Sequence, residues 1–196
     1  QFAPNEATVA PKVTLCPATG PKGHYVLLVD KTDPLSFTQK QAFSVLLNDL
    51  VRKRVPQGYL LSVFVLGEDF KATAEPLVEL CNPGTGENKS AWTSNVEWAR
   101  RDYEQKFFKP LMQQANVLQG SKPAQASPIF EMLQLVAING FQRQDVKGER
   151  RLFLVSDMLH NHGSFSMYRA APVYSSFADT DYGRKTHADL QGVEVE

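Results

Sequence analysis

Net charge is the first thing this 196-residue chain lacks: 21 Lys and Arg against 21 Asp and Glu leave a formal charge of +0. A phosphate-backbone binder needs a cationic surface that releases counterions, so nucleic acid is not an expected partner. Cysteine is scarce, with two residues, which excludes a disulfide-dense miniprotein. No apolar run approaches the length of a membrane span. Bias of composition is missing too: 42% hydrophobic and 21% charged residues exclude wholesale disorder and a collagen-like repeat. The length suits one domain with its own core rather than two.

What is present is an alternation of two patterns. Short, branched apolar runs at Tyr25 to Val29, Tyr59 to Leu66 and Leu152 to Val155 read as parallel strands buried on both faces. Between the first two, Phe43, Leu46, Leu47, Leu50 and Val51 recur at helical spacing over Thr38 to Arg54, with Thr38 and Gln41 as a capping box. Arg52, Lys53 and Arg54 close that helix and complement its dipole. A second helix is expected from about Asn95 to Gln114, kinked or restarted at Pro110. A third opens with Ser127 as N-cap and Pro128 at the first helical position, and ends at Asn139-Gly140. Strands alternating with helices point to an open, mostly parallel α/β sheet, whose ligands sit beyond the carboxyl ends of the strands.

The ends differ from this body. Residues 1–23 carry Pro4, Pro11, Pro17 and Pro21 and read as an irregular lead-in; the domain proper is expected over 24–196. Gly192 to Glu196 reads as a strand beginning, so a strand remainder and a helix are expected to be missing after it, and a removed segment before Gln1. Cys16, in the lead-in, and Cys81, after Glu79-Leu80, are expected to be bridged, which ties the lead-in to the domain and implies an oxidising compartment.

Two carboxylates follow buried strands: Asp30, in Asp30-Lys31-Thr32-Asp33-Pro34-Leu35-Ser36, and Asp157, in Ser156-Asp157. Bringing them together is costly unless a hard cation or loop hydrogen bonds compensate. Asp30, Thr32 and Asp33 before Pro34 also suit a turn that caps the next helix. These residues resemble a von Willebrand factor A domain, whose metal-ion-dependent adhesion site has Asp-x-Ser-x-Ser after the first strand, a threonine before a middle helix and a later aspartate. The resemblance runs from about Tyr25 to the C-terminus and places Asp30, Thr32, Ser127 and Asp157 at the metal positions; Pro34 stands where the second serine belongs. With Ser156-Asp157-Met158-Leu159 it is also similar to bacterial von Willebrand A-like proteins carried behind an N-terminal membrane segment or signal. It implies a three-layer, Rossmann-like α/β fold and Mg²⁺ or another divalent cation. It further implies an extracytoplasmic, non-catalytic domain that binds a protein partner and is tethered upstream of Gln1.

That partner is expected on the loops after the strands, 30–36, 120–127 and 157–168, with Asp33, Ser36, His160, His162, Phe165 and Tyr168 as contacts. Two other readings use overlapping residues. A phosphohydrolase resembling the haloacid dehalogenases would use Asp30 as nucleophile and Lys122, but Thr32 occupies the general acid's position. A zinc site would use Asp157, His160 and His162. Asn82-Pro83-Gly84-Thr85-Gly86 lacks the lysine of a phosphate loop and reads as a turn, and Asn88-Lys89-Ser90 is a glycosylation acceptor pattern.

Overall fold

In the computed structural model, which describes residues 15–87, 95–120, 123–144, 146–163, 165–168, 170 and 172–196, the apolar runs become the spine of a sheet. Its strands are β1 (His24–Asp30), β2 (Leu60–Leu66), β3 (Val78–Cys81), β4 (Arg150–Val155), β5 (Asn161–His162), β6 (Phe165–Ser166) and β7 (Glu194–Val195). The main sheet has the order β3-β2-β1-β4-β7, and β5 with β6 forms a separate hairpin. β1 pairs in parallel with both β2 and β4, as the unalternating runs predict, and β7 adds in parallel to β4. β3 is antiparallel to β2, a four-residue edge strand too short to announce itself in the pattern.

Side chains of β1 alternate between two cores. Tyr25, Leu27 and Val29 pack with Phe43 and Leu47 of α1 (Phe37–Asp49). The same core takes Tyr103 of α2 (Val96–Tyr103), Leu111 of α3 (Lys109–Gln113) and Leu118 of α4 (Ala115–Gln119). On the opposite face Val26 and Leu28 meet Ile129 and Met132 of α5 (Ile129–Leu135). Each fully buried Leu, Ile or Phe contributes roughly 1.5–3 kcal/mol, so helices on both faces are what make β1 stable at the centre. α6 (Tyr174–Ala178) and α7 (Asp181–Lys185) follow the hairpin.

Several helix ends differ from expectation. The capping box of α1 is Ser36 and Gln39, not Thr38 and Gln41: Ser36 Oγ accepts from Gln39 N–H at 3.3 Å and Gln39 Oε1 from Ser36 N–H at 2.8 Å. α5 has Pro128 at its N-cap and no side-chain cap, because the Ser127 hydroxyl is directed to β1 instead. Nor does Asn139-Gly140 end that helix, which continues as a π-helical stretch, Val136–Gln142. Gly140 lies against the sheet, where a Cβ would stand 3.4 Å from the Phe64 ring, and Asn139 Nδ2 donates to Ala74 carbonyl at 2.9 Å. Pro110 sits at the second position of α3, which runs on from a π-helical stretch, Glu104–Phe108, with helical backbone on both sides of the junction. The Arg52, Lys53 and Arg54 cluster does more than complement a dipole. Arg52 pairs with Glu104 at 2.6 Å, Lys53 with Asp49 at 2.9 Å and Arg54 with Glu196 at 2.5 Å.

Two cross-links fix the edge strand. Cys16 is disulfide-bonded to Cys81 in β3, with Cα atoms 4.8 Å apart, and Leu15 beside it packs on the α1-side core. A buried polar chain then crosses three strands: His24 Nε2 lies 2.8 Å from Ser62 Oγ, which donates to Glu79 Oε1 at 2.8 Å. Glu79 is 2% exposed, and Arg143 donates to its other oxygen at 2.8 Å. Burial, reinforced by the charges of Arg143 and Arg150, lowers the His24 pKa to about 3.

Candidate functional site

Alternation along β1 and β4 sets the geometry. Val29 and Val155 are register partners, and both face the α1-side core. The next residues, Asp30 and Ser156, therefore fall together on the α5 side, and Ser156 Oγ donates to Asp30 Oδ2 at 2.8 Å. The other oxygen, Oδ1, accepts from Thr32 N–H at 2.9 Å and from Thr32 Oγ at 2.7 Å, a tight turn right after the strand. Ser127, leading into α5, is held by paired backbone hydrogen bonds to Asn161 of β5 at 2.7 and 2.9 Å. Its Oγ reaches Thr32 Oγ at 3.1 Å and Asp30 Oδ2 at 3.5 Å. Thr32 and Ser127 are each 3% exposed, while Asp30 is half-buried. Asp30, Thr32 and Ser127 are thus brought together as the sequence predicts.

Asp157, one residue on, follows a different course. It is exposed, and its Oδ1 accepts from Leu159 N–H at 2.8 Å, so this carboxylate shapes the loop. It also borders, with Asp30, Asp33 and Ser156, a cavity of about 380 Å³ whose other wall is Pro34, Leu35, Ala42, Phe43, Leu46 and Val155. Tyr168 is 54% exposed, and its hydroxyl lies 3.5 Å from Asp33 Oδ2. Partial burial, then the charges of Asp33 and Asp157, raise the pKa of that phenol.

The hydroxyl pair fits a hard cation. Cis ligands of an octahedral magnesium ion at about 2.1 Å are roughly 3.0 Å apart, and Thr32 Oγ and Ser127 Oγ are 3.1 Å apart. A hydroxyl that gives its proton to Asp30 keeps lone pairs for a cation. Pro34 has no side-chain oxygen to add. Among the described residues no three His, Cys, Asp or Glu side chains group in a way that could hold a metal, so any ion here relies on the one carboxylate of Asp30, hydroxyl oxygens and water.

The expected partner contacts separate. Asp33 and Tyr168 face the site, whereas Ser36 is the cap of α1. His160 is not an exposed anchor: it is fully buried, stacked on Phe130 at 4.2 Å between ring centroids, and its Nε2 lies 2.9 Å from Tyr182 Oη. Tyr182 in turn donates to Glu131 Oε1 at 2.5 Å, which also meets His162 Nδ1 at 2.9 Å. Burial lowers the His160 pKa, and burial with the Glu131 hydrogen bond raises that of Tyr182. Burial opposes ionisation of Glu131, but hydrogen bonds from Tyr182, its backbone and His162 outweigh it and hold the pKa below the usual carboxylate range. Phe165 packs against Phe177 at 4.8 Å and Tyr182 at 5.7 Å. These aromatics moor the hairpin to α5, α6 and α7, and the zinc reading loses His160 to this mooring. Glu131 and Tyr182 had no signal in the sequence; Ser156 had one, its place directly after the apolar run of β4. Lys122, Asn88-Lys89-Ser90, the lead-in residues 1–14 and part of the 120–127 loop lie outside the described residues.

No protein-family model matches the chain, and no curated protein matches it.

Proposed function

We propose that this chain is a von Willebrand A-like, non-catalytic binding module that docks a protein partner on its strand-end loops. A divalent cation, Mg²⁺ by preference, sits at Asp30, Thr32 and Ser127. The observation that carries the reading is the carboxylate of Asp30, ringed by hydroxyls at 2.7 and 2.8 Å beside an open cavity. Hydroxyl oxygens backed by a carboxylate suit a hard cation that keeps part of its water, and a coordination position held by water can be given to a partner's carboxylate. The Cys16–Cys81 bridge supports an oxidising, extracytoplasmic setting.

The other reading, phosphoryl hydrolysis at Asp30, requires a positioned acid, and the residue at that place, Thr32, gives its hydroxyl proton to Asp30 instead. One experiment separates the two. The chain is given an aryl phosphate with Mg²⁺, and in parallel is cross-linked to its partner with and without Asp30→Ala and Tyr168→Ala. The binding reading expects no turnover and loss of cross-linking in both variants. Turnover abolished by Asp30→Asn, or cross-linking indifferent to both substitutions, refutes it.

A further inference from the structure

We propose that Ser156, rather than Asp157, is the side chain through which β4 completes the ion site; this rests on the cation reading given above. Three hydroxyls from separate parts of the chain surround Asp30: Thr32 from the turn after β1, Ser127 from the approach to α5 and Ser156 from the end of β4. Of the two that reach Oδ2, Ser156 is the nearer, at 2.8 Å against 3.5 Å for Ser127.

Its rotamer is fixed from both sides. The Ser156 proton goes to Asp30, and its oxygen accepts the Met158 N–H at 2.9 Å, across a turn in which Met158 has a φ of 61°. One lone pair is left over, on a side chain that is already hydrogen-bonded to Asp30, one residue past the Val29–Val155 register pair. Pro34 removes one hydroxyl from the loop after β1, and Ser156 supplies one from the neighbouring strand. Asp157, beyond the end of β4, is exposed, and one of its oxygens is taken by Leu159 N–H at 2.8 Å.

The test uses Mn²⁺ as probe, with its unbound fraction followed by electron paramagnetic resonance, on the wild-type chain and on Ser156→Thr, Ser156→Val, Asp157→Asn and Asp30→Asn. Thr and Val differ by one hydroxyl at nearly constant shape, so this pair separates the oxygen from loop packing. Ser156→Val is expected to weaken Mn²⁺ by about tenfold or more, with Ser156→Thr and Asp157→Asn close to wild type. Circular dichroism checks folding, and Ser156→Ala replaces the valine variant if that does not fold. Equal affinities in Ser156→Thr and Ser156→Val overturn the proposal, as does a loss in Asp157→Asn as large as that in Ser156→Val. A wild-type chain that retains no more Mn²⁺ than Asp30→Asn overturns the cation reading itself, and the proposal with it.

Discussion

Acid should begin to destabilise this protein through His24, above the pH at which carboxylates ordinarily titrate. His24 opens β1 with no exposed surface. The Ser62 hydroxyl donates to Glu79, so it accepts from His24, and the neutral ring carries its proton on Nε2. Its lone pair is then at Nδ1, a buried atom with no hydrogen-bond partner among the described residues. A second proton would place both a charge and an unsatisfied N–H there, facing the cations of Arg143 and Arg150. Burial is the larger obstacle, and the folded pKa is about 3 against 6.5 for the unfolded chain. Between those values the unfolded state binds more protons, so stability is complete above pH 6.5 and falls with pH toward 3. The slope approaches about 1.4 kcal/mol per pH unit, or about 2 kcal/mol lost between pH 7.5 and 5. Urea unfolding of wild type and His24→Gln at pH 7.5, 6 and 5 measures it. Glutamine donates to Ser62 without titrating, and the contribution of His160, also depressed by burial, cancels in the difference. The variant should lose less stability than wild type over that interval, by about 2 kcal/mol. Parallel pH profiles in the two proteins would refute the assignment.

Two further outcomes concern the edge of the sheet. The Cys16–Cys81 bridge spans a sequence separation of 65, which in the chain-entropy model contributes about 4 kcal/mol; reduction, or Cys16→Ser with Cys81→Ser, should lower the melting temperature, and an unchanged value contradicts this. Arg143→Met leaves the buried Glu79 carboxylate without its cation and should cost about 3–5 kcal/mol in urea unfolding. A loss below about 1 kcal/mol would mean that Gln144 and Ser62 satisfy Glu79 unaided.

Elements with a local cause were legible in the residue pattern. Unalternating apolar runs gave β1, β2 and β4 to within about two residues, and helical spacing gave α1 and α5. The strand at Glu194 was legible for the same reason, and the Cys16–Cys81 bridge because the chain has only two cysteines. Chemistry after a strand was legible too: Asp30, Thr32 and Ser127 lie where short-range turn and strand signals placed them. What only the tertiary structure decided was which distant partners those side chains meet. Ser127 has the makings of a helix cap, yet β1 lies close enough to take its hydroxyl instead. Gly140 would end a solvated helix, but here the helix runs on past it along the sheet, with Phe64 at ordinary contact distance. His160 reads as a loop histidine until α7 brings Tyr182 to it. Asp157 and Ser156 are one residue apart, and composition favours the carboxylate. The hydrogen bond to Asp30 favours the serine, which follows directly on the Val29–Val155 register pair of β1 and β4.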